Sequence, residues 1–199
     1  MTVMQSLRRH LLRLMISSCF LALALVLPLL TGQIKQIGNM LCPMHLPVLL
    51  CGYLCGPVWG MVVGLVAPLL RFVIFGMPLI MPSGLGMAAE LATYGLTVGL
   101  LRYWLRPLAA KGRSGVVLSC YISLVTAMVT GRLVWGLARY LLSGLSGSAF
   151  PLSAFWAGAV LNAIPGIVLQ LILFPLAVPA LSRLPVIRSI QRERAGETS

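Results

Sequence analysis

Charge is what this 199-residue chain has least of. Only 9% of its residues are charged, against about 25% in a typical soluble domain, and just three of them are acidic. Hydrophobic residues make up 59% of the sequence, and the mean hydropathy is +1.00. This composition excludes an ordinary soluble enzyme and a disordered tail. The net charge of +12 does not indicate a nucleic-acid-binding domain, because the basic residues lie mostly between long apolar runs.

Catalytic motifs are missing as well. Neither of the two lysines follows a GxxxxG run, so the chain has no phosphate-binding loop. No HExxH motif and no GxSxG elbow occurs, and Glu90 has no acidic neighbour with which to form a carboxylate pair. The cysteines are five in number, and Cys51 and Cys55 have no second pair or nearby histidine at ligand spacing. We therefore expect no catalytic residue, no cofactor and no metal site.

Long apolar runs are what the chain does have, and a helix needs about 20 such residues to cross a bilayer. They predict an all-α integral membrane protein, a six-helix bundle in a single membrane domain, 1–199. Gly56 and Pro57 divide one long run in two, because proline removes a backbone donor and restricts the residue before it. The predicted spans are about 11–30, 45–56, 57–75, 84–105, 115–142 and 153–181, and residues 182–199 form a tail.

The basic residues predict the orientation of these spans. With six spans both termini share one side, which receives 11 of the 15 lysines and arginines. The positive-inside rule makes that side cytoplasmic. Its basic residues are Arg8, Arg9, Arg13, Arg102, Arg106, Lys111, Arg113, Arg183, Arg188, Arg192 and Arg194.

Small residues recur at four-residue spacing along several predicted helices. Glycines occupy every fourth position from residue 52 to residue 64, and Gly95 and Gly99 repeat the spacing in the fourth helix. Such residues let membrane helices approach closely. Ser18 and Ala22 have the same spacing on the first helix, where they could face a partner subunit.

Apart from Gln170, the ionisable and amide residues within the apolar runs fall in the predicted outer half of the bilayer. A charge at mid-bilayer costs at least about 2.5–3.5 kcal/mol, so such residues pair or line a cavity. Their convergence predicts an outward-facing ligand cavity capped by extracellular loops. Singly, each has a plainer explanation: Glu90 and Arg132 as a structural ion pair, Arg71 as a snorkelling side chain. The candidate substrate-binding residues are Asn39, His45, Arg71, Glu90, Arg132 and Asn162.

Three segments resemble one transporter family. PMHLPVLLCGYLCGPVWGMVVGLVAPLLRFVIFGMP resembles the region of the second and third helices in substrate-binding S components of energy-coupling factor (ECF) transporters. MAAELATYGLTVGLL is similar to their fourth helix, and LNAIPGIVLQLILFPLAV to their sixth. The resemblance covers about residues 12–182.

The resemblance implies a subunit of a bacterial plasma membrane transporter that captures a vitamin or related micronutrient from outside. A separate transmembrane coupling subunit and two cytoplasmic ATPases would supply the energy. In the family, a small-xxx-small motif on the first helix contacts the coupling subunit. Ser18 and Ala22 match its spacing, with serine in place of the first alanine.

The charge balance of the outer half bears on the solute. The predicted outer half contains three arginines, Arg71, Arg132 and Arg139, and one acidic residue, Glu90. Guanidinium groups are well suited to bind a carboxylate or a phosphate. An anionic or zwitterionic vitamin is therefore favoured. Two other functions stay open: a ligand-free structural or regulatory membrane subunit, and an intramembrane enzyme, for which no nucleophile–base constellation is present.

Overall fold

The structure is a computed structural model and describes residues 3–30, 43–76, 79–145, 151, 156, 158 and 163–196. The described residues are helical, with no strand among them, and one irregular turn at Ile80–Gly84 precedes the fourth helix. The helices are α1 (Val3–Leu30), α2 (His45–Cys55), α3 (Pro57–Phe75), α4 (Leu85–Trp104), α5 (Arg106–Ala109), α6 (Arg113–Leu145), α7 (Ile164–Ser182) and α8 (Pro185–Gly196).

Four of these helices are long and apolar enough to cross a membrane. They are His10–Leu29 in α1, all of α3, Arg113–Gly144 in α6, and all of α7. Helix α2 is apolar but has 11 residues, and α4 has 20 residues that include Glu90 and Arg102. The described part of the chain is thus a helical membrane bundle. That six helices cross the membrane stays a prediction.

Helices α2 and α3 form a tight antiparallel hairpin. Gly56 between them has φ 120°, a conformation that only glycine adopts readily, and Pro57 starts α3 at a position where no backbone donor is needed. At the open end of the hairpin, Arg71 of α3 contacts Met44, the residue before α2. The two helices therefore run side by side from the turn to this end.

A glycine seam joins the hairpin to α4. We use this name for Gly52 of α2, Gly60 and Gly64 of α3, and Gly95 and Gly99 of α4. A methyl group on Gly95 would collide with the backbone of Gly60, and one on Gly64 would collide with the backbone of Leu91. The predicted close approach of these helices is confirmed, because their backbones touch without intervening side chains.

The remaining helices complete the core around this seam. Tyr53 of α2 is fully buried, and the ring of Phe174 from α7 meets it edge-on at 5.6 Å. The tail expected after residue 181 contains helix α8, which packs against α1, α2 and α7 and buries Ile187 and Ile190.

The seam predicts an asymmetric response to added methyl groups. Gly95→Ala forces backbone atoms apart, and overpacking of this kind costs about 1–3 kcal/mol of stability. Gly144→Ala is the matched control, because open space surrounds that helical glycine and alanine favours a helix by about 1 kcal/mol. In detergent, thermal unfolding should shift down for the first variant and not for the second. Equal melting temperatures would contradict the seam.

Candidate functional site

Three helices meet at the carboxylate of Glu90, on the second turn of α4. Only 2% of its side chain is exposed. One oxygen, Oε1, has three neighbours: Nη1 of Arg132 at 3.0 Å, the hydroxyl of Tyr94, which donates at 3.0 Å, and Nε2 of His45 at 3.5 Å. We call these four residues the Glu90 cluster.

Local packing fixes the position of each member. The glycine seam sets α4 directly against α2, which brings Glu90 and Tyr94 opposite His45 at the start of α2. The ring of Tyr94 lies against Gly131 of α6, where any side chain would collide with it. Since Arg132 is the next residue, this contact places its helix beside Glu90. The rings of His45 and Tyr94 are 5.1 Å apart.

The charges of the cluster are buried unequally. A buried ion pair needs good geometry and further hydrogen bonds to offset its desolvation, and Tyr94 supplies one of these to Glu90. The Arg132 side chain is 16% exposed, eight times as much as that of Glu90. Arg132 is therefore the more exposed of the two charged members of the ion pair.

His45 is the member with unmet bonding capacity. Its side chain is 3% exposed, and neither ring nitrogen makes a hydrogen bond of good geometry with the described residues. Buried polar groups in proteins nearly always have partners. The imidazole can donate from one nitrogen and accept at the other, so it can recognise both a polar hydrogen and an oxygen.

Two further arginines contact other partners at the same end of the bundle: Arg71, a candidate binding residue, and Arg139, which entered the prediction only through the charge of the outer half. Nη1 of Arg71 lies 3.5 Å from Sδ of Met44. Arg139 donates from Nη1 to the Ser83 hydroxyl at 2.7 Å, and lies about two turns, or 10 Å, beyond Arg132 on α6. They lie near the cluster but do not pair with Glu90. Asn39 and Asn162, the other two predicted binding residues, fall outside the described residues.

Tyr94 was missing from the predicted site. The sequence does contain a signal for it, because Glu90 and Tyr94 are four positions apart, which puts their side chains on the same helix face.

Ser18 and Ala22 lie elsewhere, on the outer surface of α1. Both are exposed, among the exposed apolar side chains of Leu14, Met15 and Val26. The Ser18 hydroxyl donates to the Leu14 carbonyl at 2.9 Å within its own helix. The pair therefore takes no part in the packing between the helices that the structure describes.

A family model, "ECF transporter, substrate-specific component", matches residues 12–178. The chain belongs to this family. It is an integral membrane subunit of a transporter, and the matched region contains His45, Glu90 and Arg132. Comparison with curated proteins and with solved structures found no match.

The hydrogen bond from Tyr94 to the Glu90 carboxylate of this S component can be tested by removing one atom. Tyr94→Phe keeps the ring against Gly131 and deletes the hydroxyl, and loss of a hydrogen bond to a charged group costs about 1.5–3 kcal/mol. Tyr121→Phe, at an exposed tyrosine of α6, is the control and should change stability by less than about 0.5 kcal/mol. Unfolding in detergent measures both. Identical stability of the two variants would show that the bond contributes nothing.

Proposed function

We propose that this S component captures a small anionic or zwitterionic vitamin-like solute at the Glu90 cluster. The supporting observation is the buried His45 imidazole beside an ion pair that joins two helices. A separate transmembrane coupling subunit and two cytoplasmic ATPases drive uptake, so the chain itself catalyses no reaction.

The proposed chemistry gives each member a role. Arg132, the partly exposed cation, binds a carboxylate or phosphate of the solute through its planar fork of donors. His45 exchanges a hydrogen bond with a neutral polar group. Glu90 holds both side chains in position, and Tyr94 holds Glu90.

Residues around the cluster extend the proposed site. Arg71 and Arg139 add positive potential toward the open end of the α2–α3 hairpin, which favours entry of an anion. Asn39 and Asn162 belong to the proposal as amide groups that would contact the solute. We assign no metal or cofactor to the site.

The proposed orientation puts the Glu90 cluster toward the outside of a bacterial plasma membrane and both termini in the cytoplasm. The basic residues Arg102 at the other end of α4, Arg106 in α5 and Arg113 at the other end of α6 support it through the positive-inside rule.

The ion pair itself favours a second candidate, a structural or regulatory membrane subunit without a ligand. The distance of 3.0 Å between Arg132 and Glu90 suits a purely structural ion pair that joins α6 to α4. The two candidate functions predict different effects on solute binding and on stability when either charge is removed.

The first experiment identifies the solute. The full chain is purified in detergent, small molecules that co-purify with it are extracted, and mass spectrometry names them. The proposal expects a stoichiometric compound that carries a carboxylate or phosphate. A purely structural subunit would carry none and would show no saturable binding.

A double-mutant cycle then tests Arg132 and Glu90 with the identified solute. Arg132→Ala should weaken binding by about 1.5–3 kcal/mol, because it removes a hydrogen bond to a charged group. Combining it with Glu90→Ala should restore part of the lost stability, since no unpaired buried charge remains, but should not restore affinity. Arg188→Ala, at an exposed arginine of α8, is the control for loss of one positive charge. Full recovery of binding in the double variant would assign the pair to structure alone.

The proposed contact with the coupling subunit lies at Ser18 and Ala22. Ala22→Leu adds bulk on the exposed face of α1, where close helix approach needs small residues. Co-purification of the coupling subunit should fall while solute binding by the isolated chain is kept. Ala180→Leu, at an exposed alanine of α7, is the matched control and should leave the complex intact. Equal retention of the coupling subunit by both variants would place the contact on another surface.

A further inference from the structure

A cavity of about 320 Å³ opens at the end of the bundle opposite the Glu90 cluster. The last turn of α4, the first turns of α6 and the last turns of α7 surround it. Its lining combines the basic residues Arg102, Arg113 and Arg183 with Ser182 and the apolar residues Val116, Val117, Val178 and Pro179. The cavity is separate from the proposed solute site.

The charged side chains that line this basic cavity are all positive. Three arginines line it, and its lining residues, as far as the structure describes them, include no carboxylate. The chain has only three acidic residues, and the carboxylate of Glu90 pairs with Arg132 in the other cluster. The cavity is therefore suited to an anion.

One of the three arginines is held in place before any ligand arrives. Nη1 of Arg102 donates to the Tyr53 hydroxyl at 2.8 Å, and its guanidinium carbon lies 4.6 Å from the centre of that ring. Tyr53 is itself fixed, since its side chain is 1% exposed and its hydroxyl lies 3.4 Å from Oγ of Ser119. A positioned guanidinium loses less conformational entropy when it binds an oxyanion.

Apart from Ser182, the rest of the lining is apolar. Val178 is buried, and Val116 and Pro179 are half-buried. A cavity lined by both guanidinium groups and aliphatic side chains matches a phospholipid, whose phosphate adjoins apolar chains. Its position also fits, because the candidate spans in α6 and α7 have their ends at Arg113 and Ser182, where lipid headgroups lie.

We propose that the basic cavity binds the phosphodiester headgroup of an anionic phospholipid. The arginines contact the phosphate oxygens, and the valine and proline wall contacts the glycerol and the first methylene groups. Free phosphate offers the same oxyanion but no apolar part to contact this wall. The proposal does not depend on the function assigned to the Glu90 cluster.

Lipid binding by the full-length protein in detergent distinguishes these ligands. Native mass spectrometry and thermal unfolding are measured with added phosphatidylglycerol, phosphatidylcholine or inorganic phosphate. Phosphatidylglycerol should be retained and should raise the melting temperature, whereas phosphatidylcholine and phosphate should do so weakly. Equal effects of the two lipids would overturn the selectivity for an anionic headgroup. A phosphate effect as large as that of phosphatidylglycerol would identify a free-anion site instead.

Exposed arginines provide variants that keep the fold. Arg113→Gln and Arg183→Gln remove charges at exposed positions of the cavity, and each should weaken retention of phosphatidylglycerol about fivefold. Arg106→Gln is the matched control: this arginine belongs to the same end of the chain but lies over the Tyr103 ring, outside the cavity lining. Equal retention by the double variant Arg113→Gln/Arg183→Gln and by the control would overturn the proposal.

Discussion

Contact between glycine backbones is the constraint on which the rest of this bundle depends. Gly60 and Gly95 bring α3 and α4 together with no side chain between them, and Gly64 meets the backbone of Leu91, the residue after Glu90. The depth and rotation of α4 are thereby fixed. A side chain on α4 can then meet α2 and α6 at the same time, which is what Glu90 does when it contacts His45 and Arg132.

In the Glu90 cluster, the carboxylate is buried and paired, whereas His45 and Arg132 have fewer hydrogen bonds or more exposure. Glu90 is satisfied by its neighbours, and the Tyr94 ring that supports it is held between Gly131 and His45. His45 makes no hydrogen bond of good geometry with the described residues, and the Arg132 side chain is partly exposed. Such an arrangement holds the Arg132 side chain in place and leaves no buried carboxylate unpaired, which would be costly.

Sequence patterns predicted part of this arrangement. A lone acidic residue in an apolar run needs a cation, and the scarcity of charge left few candidates, so Glu90 with Arg132 was foreseeable. The partners of Arg71 and Arg139 were not, because long side chains reach residues such as Met44 and Ser83 that no spacing relates to them. The basic cavity was hidden for a different reason. Each of its arginines was explained by membrane orientation, and only the meeting of three helix ends brings them together.

The residues that contact Glu90 are synthesised at different times. A chain is synthesised from its N-terminus, so His45 is already present when α4 emerges, and Tyr94 follows one turn after Glu90 in the same helix. Arg132 comes much later, in α6. Among the contacts of the Glu90 carboxylate with the described residues, only the one with Tyr94 lies within α4 itself, one helical turn away. The Glu90 cluster therefore receives its cation last, after both the histidine and the tyrosine have been synthesised.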